Sequence, residues 1–155
     1  MPIQDPIQGA IRIRTPHRHE LSAVRHLRQE ELVGDQPVPA SIKPAAEDLD
    51  PQSIYVAAFA GNLVVGVARV NPLADHPGTY IITRVATRKG YRGRGIGTQI
   101  MHAAERAAVE KGATTLVLDA RPDAEAFYAR LGYDRSDDRK PEFENHIPMT
   151  KRVKF

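Results

Sequence analysis

The stretch Arg92-Gly93-Arg94-Gly95-Ile96-Gly97 decides how this chain is read, because it joins a segment of strand composition to one of helical spacing. Before it, Tyr80-Ile81-Ile82-Thr83-Arg84-Val85-Ala86 is rich in β-branched and aromatic residues. After it, Ile96, Ile100, Ala103, Ala104, Ala107 and Ala108 recur at the period of a helix that ends near Lys111-Gly112. Glycines at such a junction let the chain turn sharply and leave no Cβ between backbone N–H groups and a ligand. Those N–H groups, with the positive end of the following helix, favour an anion. Five cations crowd the same region, Arg84, Arg88, Lys89, Arg92 and Arg94, and no acid occurs between Asp75 and Glu105. A charge run is usually only a solvated face. Here it coincides with a shaped turn, so a polyanion gains both a cradle and a field.

Two common phosphate loops do not fit. A P-loop needs Gly-x-x-x-x-Gly-Lys-Ser/Thr, and no Lys follows Gly97. A dinucleotide fingerprint needs Gly-x-Gly-x-x-Gly, but the third glycine comes one residue early and Thr98 holds its place.

The flanking elements give the fold class. Ile11 to Arg14 alternates like a short strand, and Leu21, Val24, Leu27 and Val33 mark a helix through about Glu31. Prolines crowd residues 35 to 51, an irregular segment with at most a short helix near Ala45 to Leu49. Ile54 to Ala60, Gly61-Asn62 and Leu63 to Val70 read as a hairpin whose two turn residues take positive φ. After the long helix come a strand at Thr115 to Leu118, a helix at about Asp123 to Leu131, and closing strands at Tyr133 to Asp137 and His146 to Val153. This order predicts an α/β (α+β) domain with a mixed, mostly antiparallel sheet of six to seven strands and about four helices.

With 155 residues, the chain fits one domain spanning 1–155. It contains no cysteine, which excludes disulfides, thiolate metal sites and cysteine nucleophiles. No basic start with an apolar run precedes the first strand, and no stretch approaches the roughly 20 apolar residues of a membrane helix. The expected setting is cytoplasmic, with no membrane partner. The net charge of +3 suits an anionic ligand as well as nucleic acid, while an acid-rich segment downstream, including Asp119, Asp137, Asp138 and Glu144, could receive a cationic amine.

A second motif stands downstream. Ala124-Glu125-Ala126-Phe127-Tyr128-Ala129-Arg130-Leu131-Gly132-Tyr133 resembles Ala-x-x-Phe-Tyr-x-x-x-Gly-Phe/Tyr, and Arg92-x-x-Gly95-x-Gly97 resembles Arg/Gln-x-x-Gly-x-Gly/Ala. Both are signatures of the GNAT superfamily of N-acetyltransferases, and they stand here in that superfamily's order. The resemblance covers about Ile54 to Val153. More weakly, Leu27 to Gln36 and Glu144 to Met149 are similar to the ElaA-like branch, although Glu31, Leu32 and Asp35 depart from its pattern.

The resemblance implies an acyl-CoA-dependent N-acyltransferase that moves the acetyl group of acetyl-CoA directly to a primary amine of a small molecule or peptide. It implies that Arg92, Gly93, Arg94, Gly95, Ile96, Gly97 and Thr98 hold the pyrophosphate, and that Val85, Ala86 and Thr87 bind the pantetheine arm. Phe127 and Tyr128 complete the cofactor site, and Tyr128 assists departure of the thiolate as a phenol of ordinary pKa near 10 can. Arg121 stands where many members carry Asn. A homodimer is compatible with this reading, and no metal is required.

Residues 79 to 87 contain no carboxylate, so the general base is open among a water, Asp119 and His146. Two rivals remain: a non-catalytic acyl-CoA-binding domain, and a nucleic-acid-binding module. The latter is disfavoured, since aromatics make up only 6% of residues and leave no stacking platform.

Overall fold

The computed structural model describes residues 11–32, 51–141 and 144–153. The chain runs β1 (Ile11–Arg14), α1 (Leu21–Leu32), β2 (Ile54–Ala60), β3 (Leu63–Pro72), β4 (Thr79–Thr87), α2 (Ile96–Glu110), β5 (Thr115–Ala120), α3 (Glu125–Arg130), β6 (Asp134–Arg135) and β7 (Ile147–Arg152). Single 3₁₀ turns at Arg18–Glu20 and Pro122–Ala124 lead into α1 and α3. All seven strands join one sheet in the order β1-β2-β3-β4-β5-β7-β6, with β4 and β5 parallel and every other pair antiparallel. The expected mixed, mostly antiparallel sheet is therefore observed. The short helix expected near Ala45 to Leu49 lies outside the described residues.

The sheet is covered on both faces, which is why β2 and β3 read as nearly continuous apolar runs rather than alternating ones. On one face Ile96, Ile100, Met101, Ala104 and Ala108 of α2 pack on Val56, Ala68, Val70, Ile82, Leu116 and Leu118. On the other, Val24 and Leu27 of α1 meet Tyr55, Ala57, Phe59, Val64 and Val67. Met101 is fully buried, and truncating such a side chain to alanine costs about 2–5 kcal/mol. The bidentate pair between Arg14 and Glu20, at 2.7 and 2.9 Å, ties the end of β1 to the start of α1.

Three local readings are corrected. In the β2–β3 turn only Gly61 takes positive φ, at 60°, and Asn62 does not. The helix expected from Asp123 begins as a 3₁₀ turn with Pro122 at its first position, where a missing N–H is harmless. The expected strand at Tyr133 to Asp137 shrinks to Asp134–Arg135. Ser136 N–H still donates to the Pro148 carbonyl at 2.9 Å, but Pro148 has no N–H to return, so the ladder stops.

Candidate active site

The site is built where β4 and β5 part. Their parallel pairing runs from Thr79 and Thr115 only to Ile81 and Val117, whereas β4 continues to Thr87 and β5 to Ala120. Past Ile81 the β5-facing edge of β4 carries no ladder partners, so a cleft with backbone walls opens between the strands. A bulge turns the β4 wall: Arg69 pairs with Thr83 and Val67 with Ala86, leaving one extra residue on β4, and Arg84 sits in the left-handed region at φ 57°. Val85, Ala86 and Thr87 follow the bulge and lead directly into the glycine turn.

At that turn Gly95 caps α2 with φ 78°, a conformation that a side chain resists. The first intrahelical bond is Gln99 N–H to the Gly95 carbonyl, at 3.1 Å. The N–H groups of Ile96, Gly97 and Thr98 therefore lack intrahelical acceptors and carry the positive end of α2. A Cβ on Gly95 would meet nothing within 4 Å, so space for an anion lies beside those donors. Arg92, Gly93, Arg94 and Gly95 are all exposed around it. Arg92 is oriented by its Nε donating to the Thr87 carbonyl at 3.2 Å, and Arg94 lies 5.7 Å from the Tyr91 ring. The donor set and the open space fit a pyrophosphate.

Gly97 marks a close approach of three elements instead. A Cβ there would lie 3.4 Å from Phe127 Cζ and 3.7 Å from Thr87 Oγ1. The end of β4, the first turn of α2 and the aromatic pair of α3 thus converge, and the two sequence motifs touch through Gly97 and Phe127. Tyr128, beside Phe127 and edge to face with it at 5.1 Å, is buried, and desolvation pushes its phenol up to about 12. No group among the described residues hydrogen-bonds its hydroxyl. The phenol therefore stays protonated at neutral pH and retains a proton to donate.

Other candidates are placed differently. Both carboxylate oxygens of Asp119 accept from Arg139, at 2.6 and 3.2 Å, so this acid is engaged rather than poised as a base. His146 Nδ1 lies 3.2 Å from the Glu144 carbonyl, in the turn before β7. Arg121 is exposed and 3.7 Å from Asp123. An open groove of about 440 Å³ behind α2, lined by His102, Glu105, Arg106 and Lys151 among others, contains none of the expected site residues.

Two polar clusters were not anticipated from sequence. Tyr133, buried in the core, donates to Glu105 Oε2 at 2.7 Å, and Lys151 Nζ lies 3.1 Å from both Glu105 oxygens. Burial first, and the Glu105 hydrogen bond second, push the Tyr133 phenol far above its ordinary value. The signal for Glu105 was present, since an acid four residues after Met101 falls on the apolar stripe of α2. The second cluster is Arg139 on Asp119; a separation of twenty residues carries no local signal.

The family model described as Acetyltransferase (GNAT) family matches residues 21–133. YjcF of Bacillus subtilis (strain 168), described as an uncharacterized N-acetyltransferase, is 31% identical over 117 residues, covering 76% of this chain and 80% of its own. Escherichia coli ElaA has the same fold, with a TM-score of 0.76 at 20% identity over 92% of this chain and 98% of its own. So does the PaiA N-acetyltransferase of Thermoplasma acidophilum, solved in complex with coenzyme A, with a TM-score of 0.71 at 17% identity over 93% of this chain and 99% of its own. The glycine turn on α2, the parted strands and the Phe127-Tyr128 pair thus occur in a chain that belongs to the acetyltransferase (GNAT) family and is an acyl-CoA-dependent N-acyltransferase.

Proposed function

We propose that the chain is a single-domain N-acetyltransferase that passes the acetyl group of acetyl-CoA directly to a primary amine of a small molecule or peptide. The observation that carries this reading is the convergence of Thr87, Gly97 and Phe127, which sets an anion cradle, a backbone cleft and a buried phenol side by side. The free donors of the first turn of α2, with Arg92 and Arg94, hold the pyrophosphate, and Val85, Ala86 and Thr87 line the pantetheine arm. A backbone N–H on the thioester oxygen there strengthens as negative charge develops. The amine nitrogen bonds to the acetyl carbon, the carbon–sulfur bond breaks, and the thiolate takes its proton from Tyr128. The amine gives its proton to water, since Asp119 is occupied by Arg139, and a proton from solvent then restores the Tyr128 phenol. Holding both reactants in the cleft supplies the proximity.

Thermal shift with acetyl-CoA, followed by release of free CoA across a panel of amines, tests the proposal. Gly95→Glu places a carboxylate in the cradle and forces a side chain into positive φ, and acetyl-CoA should then give no stabilisation to a folded variant. Full acetyl-CoA affinity in folded Gly95→Glu would show the cradle to be elsewhere.

A further inference from the structure

We infer that Arg139 is a positioning residue for the acceptor amine, acting through Asp119 on the β5 wall of the cleft. The inference rests on the acetyl-transfer reading above.

Past Val117 the stretch Leu118 to Ala120 loses its β4 partner and is held by the sheet on one side only, through Met149, Pro148 and Ile147 of β7. Arg139, in the connection between β6 and β7, binds this same stretch. Its Nη2 donates to Asp119 Oδ1 at 2.6 Å and to the Leu118 carbonyl at 3.2 Å, while its Nη1 donates to Asp119 Oδ2 at 3.2 Å. The pair is largely withdrawn from water, with side-chain exposures of 19% and 9%. A planar guanidinium that makes a two-point contact with carboxylate fixes orientation as well as distance, which an ammonium cannot do.

The face matters. Leu118 and Ala120 belong to the core that contains α2 and Tyr128. Asp119 lies between them in an alternating strand, so it points to the opposite face. With coenzyme A in the cradle at the start of α2 and its sulfur beside Tyr128, the amine reaches the carbonyl from the face that Asp119 and Arg139 occupy. The pair also ties the β6–β7 connection, through Arg139, to the end of β5, on the side from which the acceptor would arrive. Loosening it should leave acetyl-CoA binding intact while weakening the hold on the amine.

The test uses the full chain, with acetyl-CoA and one amine that the wild type acetylates, chosen from an alkyl diamine, a lysyl peptide and an amino sugar. Arg139→Gln should raise KM for the amine about tenfold, with kcat and the KM for acetyl-CoA within about twofold. Arg139→Lys, which keeps the charge but not the fork, should fall between. Asp119→Ala should raise the same KM, and the double variant should add little, because the two residues act as one unit. Unchanged amine KM in folded Arg139→Gln or Arg139→Lys, or fully additive effects in the double variant, would overturn the inference. Loss of acetyl-CoA stabilisation from the wild type would instead sink the reading on which it rests.

Discussion

Tyr128 and Tyr133 stand five positions apart, meet edge to face at 6.1 Å and are both buried, yet among the described residues only the Tyr133 hydroxyl has a hydrogen-bond partner. Burial lifts both phenols above their ordinary value, Tyr128 to about 12 and Tyr133 further still. A raised phenol pKa therefore does not by itself identify an acid catalyst. Tyr133 donates to Glu105, which Lys151 holds from the other side, so its proton serves the joint between α2, α3 and β7. Tyr128 sits next to Phe127, against the first turn of α2, with no acceptor among the described residues. The Tyr133 phenol is structural and the Tyr128 phenol is the proposed acid, a distinction that rests on their partners and not on their burial.

The comparison breaks most visibly in rate. Tyr128→Phe should lower kcat by about 10²–10⁴, the usual worth of a positioned general acid, while stability shifts by no more than about 1 kcal/mol because no hydrogen bond is lost. Steady-state CoA release and a urea titration measure the two. A kcat within threefold of wild type would remove the proposed acid. Next in size is Glu105→Ala, which strands the Tyr133 hydroxyl and the Lys151 ammonium together and should cost about 3 kcal/mol. That is the low end for a buried pair, since Lys151 remains partly open to water. Tyr133→Phe is smaller: one hydrogen bond to a charged group disappears while Lys151 still covers both Glu105 oxygens, so about 1.5–3 kcal/mol should be lost. Its kcat per folded enzyme should match wild type. If Tyr133→Phe lost rate and kept stability, the two roles would be reversed.

The legible parts of the molecule were those whose causes are local. Gly95 is glycine because its own φ demands it, and the anion cradle could be read from that turn and the five cations around it. Helix α2 followed from apolar periodicity, and strands β2 to β5 from short apolar and β-branched runs bounded by turn residues. Contacts between distant positions were not readable in that way. Glu105 and Lys151 are 46 residues apart and Asp119 and Arg139 are 20 apart, and neither spacing has any local meaning. The bulge at Arg84 was equally hidden, because a non-glycine residue gives no warning that it will adopt positive φ. The charge on Asp119 made it a base candidate in sequence, and the guanidinium on both its oxygens could not be foreseen there.

The finest test of the two tyrosines is the pH dependence of the difference between them. The folded Tyr128 phenol titrates near 12, above its ordinary value of 10, through desolvation. A raised folded pKa means that its contribution to stability is fully present below pH 10 and is lost as pH rises through 12. In the folded enzyme the phenol keeps its proton across pH about 6 to 9.5, so it contributes no pH dependence of its own to the rate. The ratio of wild-type kcat to that of Tyr128→Phe should therefore stay constant within about twofold over that range, even where the amine's own titration bends both profiles. A ratio falling toward one between pH 8 and 9.5 would mean that the phenol sheds its proton early. Tyr128 would then sit in a wetter, more polar environment than its burial implies, and the contrast with Tyr133 would rest on hydration and not on partners.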